Sequence, residues 1–232
     1  GYQVWDMSDP ANPKFISQFS VPGQILGNPE DEKAYLMNPR AGNRTSWMGS
    51  RIPVFLPKPL EDGGKIGFGA MGGLGLYSFD LSTPSKPKVL GHVNTPPSFA
   101  GTEYDNADVS QYARTGFVLT NGYPMNRDCY EPYKDVFVVD ARDPSHMKVA
   151  TTLPRPTPPE GASYTSFCQR GGNFGPKRAN AIGQPGAWRQ GIVPYSFYNA
   201  GVQIYDVRNP EKPTIACYFG PALGDETELP SY

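Results

Sequence analysis

The chain has 232 residues, a formal net charge of −1, and 26 glycines and 26 prolines. The length allows one large core; the near-zero charge draws neither nucleic acid nor an anionic membrane. No apolar run is long enough to span a bilayer, and no leader peptide is visible. Abundant Gly, Pro, Tyr and Phe point to short strands joined by elaborate loops, and no helical periodicity outlasts two turns.

In chain order, GYQVWDMSDPANPKFISQF from Gly1 reads as two short strands around a turn. Residues 20–64 carry few strand signals; NPEDEK and NPRAGNR are turn chemistry, and IPVFLPKPLEDGGK is an extended, proline-broken edge segment. Lys65 to Met71 is a strand leading into GLYSFDLSTPSKPKVLGHV. Pro96 to Ser110 reads as a loop, Thr115 to Thr120 as a strand, and Asn121 to Lys134 as another loop. VFVVDARDPSHMKVATTL follows, then the exposed proline-rich PRPTPPEG. Ser163 to Cys168 reads as a strand, Gly171 to Gln190 as a long glycine-rich loop, and Gly191 to Tyr198 as a strand that feeds GVQIYDVRNPEKPTIACYF.

Four of these stretches are one motif. Aligned on the acid that ends the first strand, they give Asp6, Asp80, Asp140 and Asp206. Four residues on stands Pro10, Pro84, Pro144 or Pro210, preceded by Asp9, Thr83, Asp143 or Asn209. Seven residues after the acid stand Pro13, Pro87 and Pro213, with Met147 the exception. A carboxylate at a strand end can bond the N–H two residues on and hold an Asx turn, while proline fixes φ and stops the strand. The runs YQVWD, LYSFD, FVVD and VQIYD, each with its NP, DP or TP turn, resemble the LVIVD-repeat family. That resemblance implies a β-propeller in which each motif belongs to one four-stranded blade, and a cell-surface or secreted role. The run CQRGGNFGPKRAN, followed by IVPYSFYNAGVQIYD, resembles a bacterial subgroup of that family; Lys177 and Arg178 stand where that subgroup carries His-Asn.

The acids are 74, 60 and 66 residues apart. A plain blade takes about 40 to 45 residues, so each interval carries an insertion of roughly 15 to 30. Inserted loops on a repeat scaffold gather on one face and build binding surfaces. The densest basic and aromatic group is Arg170, Phe174, Lys177, Arg178, Trp188 and Arg189, which suits a carboxylate, a phosphate or a protein anchor; the alternative is a structural loop whose arginines bond carbonyls.

Other signals are weaker. Gly67 to Gly72 fits G-x-G-x-x-G, but a strand follows where a dinucleotide site needs a helix. His92 and His146 sit in scaffold positions and make neither a zinc site nor a triad. Glu103, Asp105 and Asp108 can offer oxygens to calcium, although a solvated acidic loop explains them better. Cys129 and Cys168 lie in loop-rich stretches and either pair, which would suit an oxidising compartment, or stay free; Cys217, in a strand, is expected to be buried. Asn43-Arg44-Thr45 is a glycosylation triplet.

The expectation is an all-β chain, one propeller-like domain over 1–232 that does not close by itself and is incomplete at both ends. It is expected outside the cytoplasm as a non-catalytic binding or scaffold protein, without a cofactor, working with a protein partner or neighbouring chain. The rival is an enzyme or small-molecule binder with an anionic-ligand site at the channel mouth around Arg170 and Arg178. Poor histidine and carboxylate supply near that loop favours binding.

Overall fold

The computed structural model describes residues 1–24, 27–30, 32–33, 52–94, 102–179 and 191–220. Within them, twelve strands form four antiparallel sheets. The first sheet is β1 (Tyr2–Asp6) with β2 (Lys14–Phe19). The second is β3 (Ile66–Ala70), β4 (Leu76–Asp80) and β5 (Lys88–Val93). The third is β6 (Thr102–Asp108), β7 (Phe117–Tyr123), β8 (Val136–Asp140) and β9 (Lys148–Thr152). The fourth is β10 (Ile192–Ser196), β11 (Val202–Asp206) and β12 (Thr214–Phe219). Helix is sparse: α1 (Tyr112–Thr115), 3-10 turns at Gly72–Leu74 and Phe167–Arg170, and helical residues at 29–30 and 32–33. No helix of the described residues is long and apolar enough to cross a membrane.

The four motif hairpins share one register. The strand-ending acid faces the residue eight positions on: Asp6 with Lys14, Asp80 with Lys88, Asp140 with Lys148, Asp206 with Thr214. Each hairpin then shifts register at the same place, between Val4 and Trp5, Ser78 and Phe79, Val138 and Val139, and Ile204 and Tyr205. One residue of the second strand is left unpaired there, a β-bulge that bends the outer strand and increases its twist. A repeated bulge at one motif position makes the four hairpins structural copies.

Alternation along the motif strand builds two faces. On one, hereafter the front, the residues just before and after the acid pack on the preceding sheet. Phe79 and Leu81 join Tyr2 in one buried cluster; Val139 and Ala141 join Leu76 and Phe68 in the next; Tyr205 and Val207 join Val136 and Val138 in the third. The opposite, back face carries Tyr2, Leu76, Val136 and Val138 toward the following sheet. Each core is therefore a front face laid on a back face, repeated three times.

Two short segments add an edge to these sheets on the side away from the motif hairpin. Phe55 exchanges backbone bonds of 2.9 Å with Phe68 of β3. Residues 177–179 do the same on β10: Lys177 N–H donates to Ser196 O at 2.8 Å, and Ser196 N–H to Arg178 O at 2.9 Å. In the third sheet that place belongs to β6.

The structure corrects the sequence reading in four places. Pro96 to Ser110 was expected as a loop, yet Thr102–Asp108 is a strand. Its apolar side, Tyr104, Ala107 and Val109, enters the core while its other side is polar, so no hydrophobic run announced it. The third-sheet strand expected to stop at Thr120 continues to Tyr123, buried throughout. Ser163 to Cys168 is not a strand; Ser166 caps the 3-10 turn, accepting a bond from Cys168 N–H. Cys217 is in a strand as expected but exposed, because it lies on the back face of the fourth sheet.

Candidate functional site

The motif acids serve their own turns. Asp6 accepts from Ser8 N–H at 2.9 Å, Asp80 from Ser82 N–H at 2.9 Å, Asp140 from Arg142 N–H at 3.2 Å, and Asp206 from Arg208 N–H at 3.0 Å. Arg142 and Arg208 also fold back, their guanidinium groups bonding the same carboxylates. These bonds hold all four carboxyls below the ordinary carboxylate range, through the Ser8 backbone, the Ser82 side chain, and the Arg142 and Arg208 side chains respectively. The residue before the proline repeats the device one step on: Asp9, Asp143 and Asn209 accept from the N–H groups of Ala11, Ser145 and Glu211.

The basic and aromatic group divides in two. Arg170 donates to Asn199 O at 2.8 Å and stacks over Tyr164, so it braces the loop onto the turn before β11. Phe174 stacks on Phe167 and meets Tyr133 edge-on. Lys177 and Arg178, in contrast, reach into the neighbouring sheet. Both approach Asp105 of β6, Lys177 Nζ at 3.7 Å and an Arg178 Nη at 3.5 Å. Lys177 Nζ also sits 3.5 Å from the centroid of the Tyr123 ring, a cation–π contact. The Asp105 side chain is fully buried while both cationic side chains remain about a third exposed (32% and 40%). Trp188, Arg189 and the Asn43 triplet lie outside the described residues.

Behind this pair is a buried polar junction between the third and fourth sheets. Asn106 Nδ2 donates to the Tyr195 hydroxyl at 2.9 Å and to Asn121 Oδ1 at 3.3 Å; the Tyr195 hydroxyl donates to Asn121 Oδ1, and Asn121 Nδ2 to Lys177 O at 3.1 Å. Asp108 accepts from Ser110 N–H at 2.7 Å through one oxygen, while its other oxygen is buried without a hydrogen-bond partner. Burial pushes the Asp108 carboxyl up, and burial together with the nearby Asp108 charge pushes the Tyr195 hydroxyl well up. The acidic pair is thus not a solvated loop. Among the described residues no group of three or more His, Cys, Asp or Glu side chains is arranged to hold a metal ion.

Cys129 and Cys168 form a disulfide with Cα atoms 5.6 Å apart. It ties the 3-10 turn at Phe167–Arg170 to the loop in which Glu131 accepts from the N–H groups of Met125 and Asn126. His92 stacks on Tyr77 and His146 bonds Asp143 at 2.9 Å, both within the scaffold. An apolar cleft of about 250 Å³ lies beside the first two sheets, lined by residues including Tyr2, Val54, Leu56, Leu60 and Leu81, with no charged side chain in its wall. The sequence reading missed Asn106, Asn121, Tyr123 and Tyr195. Each stands in a strand as a single polar or aromatic residue, and only the pairing of sheets brings them together. No protein-family model and no curated protein matches the chain.

Proposed function

We propose that the four sheets are successive blades of a β-propeller and that the chain is an extracytoplasmic, non-catalytic binding or scaffold module that works within a larger assembly. The observation that supports this is the repeated junction. Three successive contacts use the same front and back faces, while Trp5, Met7 and Phe15 on the front of the first sheet and Phe219 on the back of the fourth are exposed. A surface of that kind is an interaction surface. The Cys129–Cys168 bridge supports a place outside the reducing cytoplasm.

A second reading rests on Lys177 and Arg178. They come from the edge of the fourth sheet that corresponds to β6 in the third, and a buried carboxylate fixes the direction of both while their heads reach solvent. Such a pair suits a small carboxylate or phosphate. Thermal-shift titration with succinate and phosphate separates the two readings. Stabilisation that vanishes in Arg178→Ala favours the ligand site; no shift in the wild type leaves the assembly reading. Small-angle scattering tests the propeller itself: sheets around a common axis give a curved arc, and a straight stack would sink the idea.

A further inference from the structure

Two loops lie side by side between the disulfide and the cationic pair. Residues 124–135 connect β7 to β8; residues 171–176 connect the 3-10 turn at Phe167–Arg170 to the edge segment on β10. They touch along their length. Asp128 N–H donates to Gly172 O at 2.7 Å, and Asn173 Nδ2 to Pro124 O at 3.2 Å. Phe174 meets Tyr133 edge-on, and a Cβ on Gly175 would stand 2.9 Å from Pro124 Cδ. At one end of this row is the Cys129–Cys168 bond. At the other, Lys177 Nζ sits over the ring of Tyr123, the residue before Pro124, and 3.7 Å from Asp105.

The disulfide end is held against its local preference. Tyr130 N–H donates to Arg127 O at 3.2 Å and closes a turn whose central residues are Asp128 and Cys129, with φ of 56° and 60°. A tight turn with both central residues at positive φ favours Asn-Gly or Asp-Gly. Asp128 suits its place. Cys129 stands where glycine is preferred, and such a conformation persists only where its surroundings enforce it. Met125 to Asp128 are exposed, so core packing does not enforce it, and Glu131 holds the base of the loop, through the N–H groups of Met125 and Asn126. The enforcing contacts are the bond to Cys168 and the Asp128–Gly172 bond beside it. Both cysteines are half-buried, within reach of an attacking thiolate.

We propose that the disulfide is a redox clamp on Lys177. Closed, it presses the two loops together and seats the lysine between Tyr123 and Asp105. A dithiol opens it by thiol–disulfide exchange: the dithiol is oxidised to a disulfide, and its two electrons and two protons pass to Cys129 and Cys168, which become thiols. Cys129 then relaxes out of the left-handed turn and the loops part. Backbone bonds to Ser196 keep residues 177 and 178 on the edge of β10. Arg178 therefore stays, while Lys177, whose ring platform adjoins the loosened Pro124, loses its seat. The clamp itself stands on the loop geometry; its effect on a bound carboxylate or phosphate rests on the ligand reading of this pair.

The test uses the full chain, well below its unfolding midpoint, oxidised and after dithiothreitol. Lysines are acylated with N-hydroxysuccinimidyl acetate and read by peptide mass. The rate at Lys177 should rise about two- to fivefold on reduction, the worth of a part-exposed cation–π contact, while Lys148, in β9, is unchanged. Cys129→Ala/Cys168→Ala should show the reduced rate with or without dithiothreitol. Cys129→Gly/Cys168→Ala should stay nearer the oxidised rate, because glycine suits the turn without the bond. Phosphate affinity, from thermal-shift titration, should fall by a similar factor on reduction. Equal Lys177 rates in the two redox states overturn the clamp, whether or not phosphate binds. A rise at Lys177 without phosphate binding in either state keeps the clamp and removes the ligand reading. An equal rise at Lys148 overturns the proposal, because the bond then supports the fold as a whole rather than one side chain.

Discussion

Asp140 is the motif acid with most to lose. Its carboxylate is nearly buried and accepts from the Arg142 backbone, at 3.2 Å, and from the guanidinium, at 2.9 and 2.6 Å. Charged hydrogen bonds contribute more than neutral ones, but the Arg142 head is largely exposed and solvent screens it. Asp140→Ala should therefore cost about 1–2 kcal/mol at pH 7, read from urea unfolding. Since folding lowers this acid's pKa, the stabilisation is present above the ordinary carboxylate value and lost as pH falls through the lowered one, so the gap between variant and wild type should close in acid. Asp108 has the opposite sign. Burial raises its pKa, so the folded state holds the proton to higher pH than the unfolded chain, and stability declines as pH rises from the ordinary carboxylate range through the raised value. Asp108→Asn removes that titration. The drop in Tm between pH 4 and pH 7 should be smaller in the variant, and an equal drop would show that Asp108 is not the group responsible.

At the scale of elements, the sequence was most readable where local chemistry repeats. The four Asp-to-Pro turns revealed their flanking strands and the acid at which each first strand ends, because carboxylate capping and proline geometry act within a few residues, whereas the pairing register came only with the structure. β6 was not legible. TEYDNAD has no β-branched residue beyond its first, and what makes it a strand is β7 beside it and the polar junction in which Asn106 bonds Asn121 and Tyr195, 15 and 89 residues away. The same distance in sequence hid the site: Lys177 and Arg178 were visible as charges, but their meeting with Asp105 requires two sheets to be laid side by side. The disulfide was half legible, since spacing left pairing open and only the fold brings the two cysteines together. Closing a loop of 39 residues should contribute about 2–4 kcal/mol. Reduction by dithiothreitol should lower the midpoint of unfolding by a corresponding amount, with Cys129→Ala/Cys168→Ala matching the reduced protein. An unchanged midpoint would mean that the Cys129 loop opens independently of the sheets.

At the scale of the whole molecule, stability is distributed among junctions, as in other stacked-repeat proteins, where each unit contacts only its neighbours. Gly91 isolates one such junction. An added methyl would stand 2.7 Å from both Pro144 O and Ser145 O, closer than a carbon and a backbone oxygen tolerate, so the third sheet's turn has to move away from the second sheet. Ser78, which donates to Pro144 O at 2.5 Å from the same sheet, moves out of reach as the turn withdraws. Two effects compete in Gly91→Ala. A strand glycine replaced by alanine ordinarily gains up to about 1 kcal/mol through reduced backbone entropy. Overpacking typically costs about 1–3 kcal/mol, and loss of the Ser78 bond about 1 more. The contact should dominate, and the variant should be less stable than wild type by urea unfolding. Hydrogen exchange gives the sharper readout. Amides of β4 and β8, which face each other across the altered junction, should lose protection, while those of β11, one junction away, should change least. Uniform loss in all four sheets would mean that the stack unfolds as one cooperative unit. A gain in stability would mean that the turn of the third sheet yields freely and that the repeated turn-on-sheet contact does not hold neighbouring sheets together.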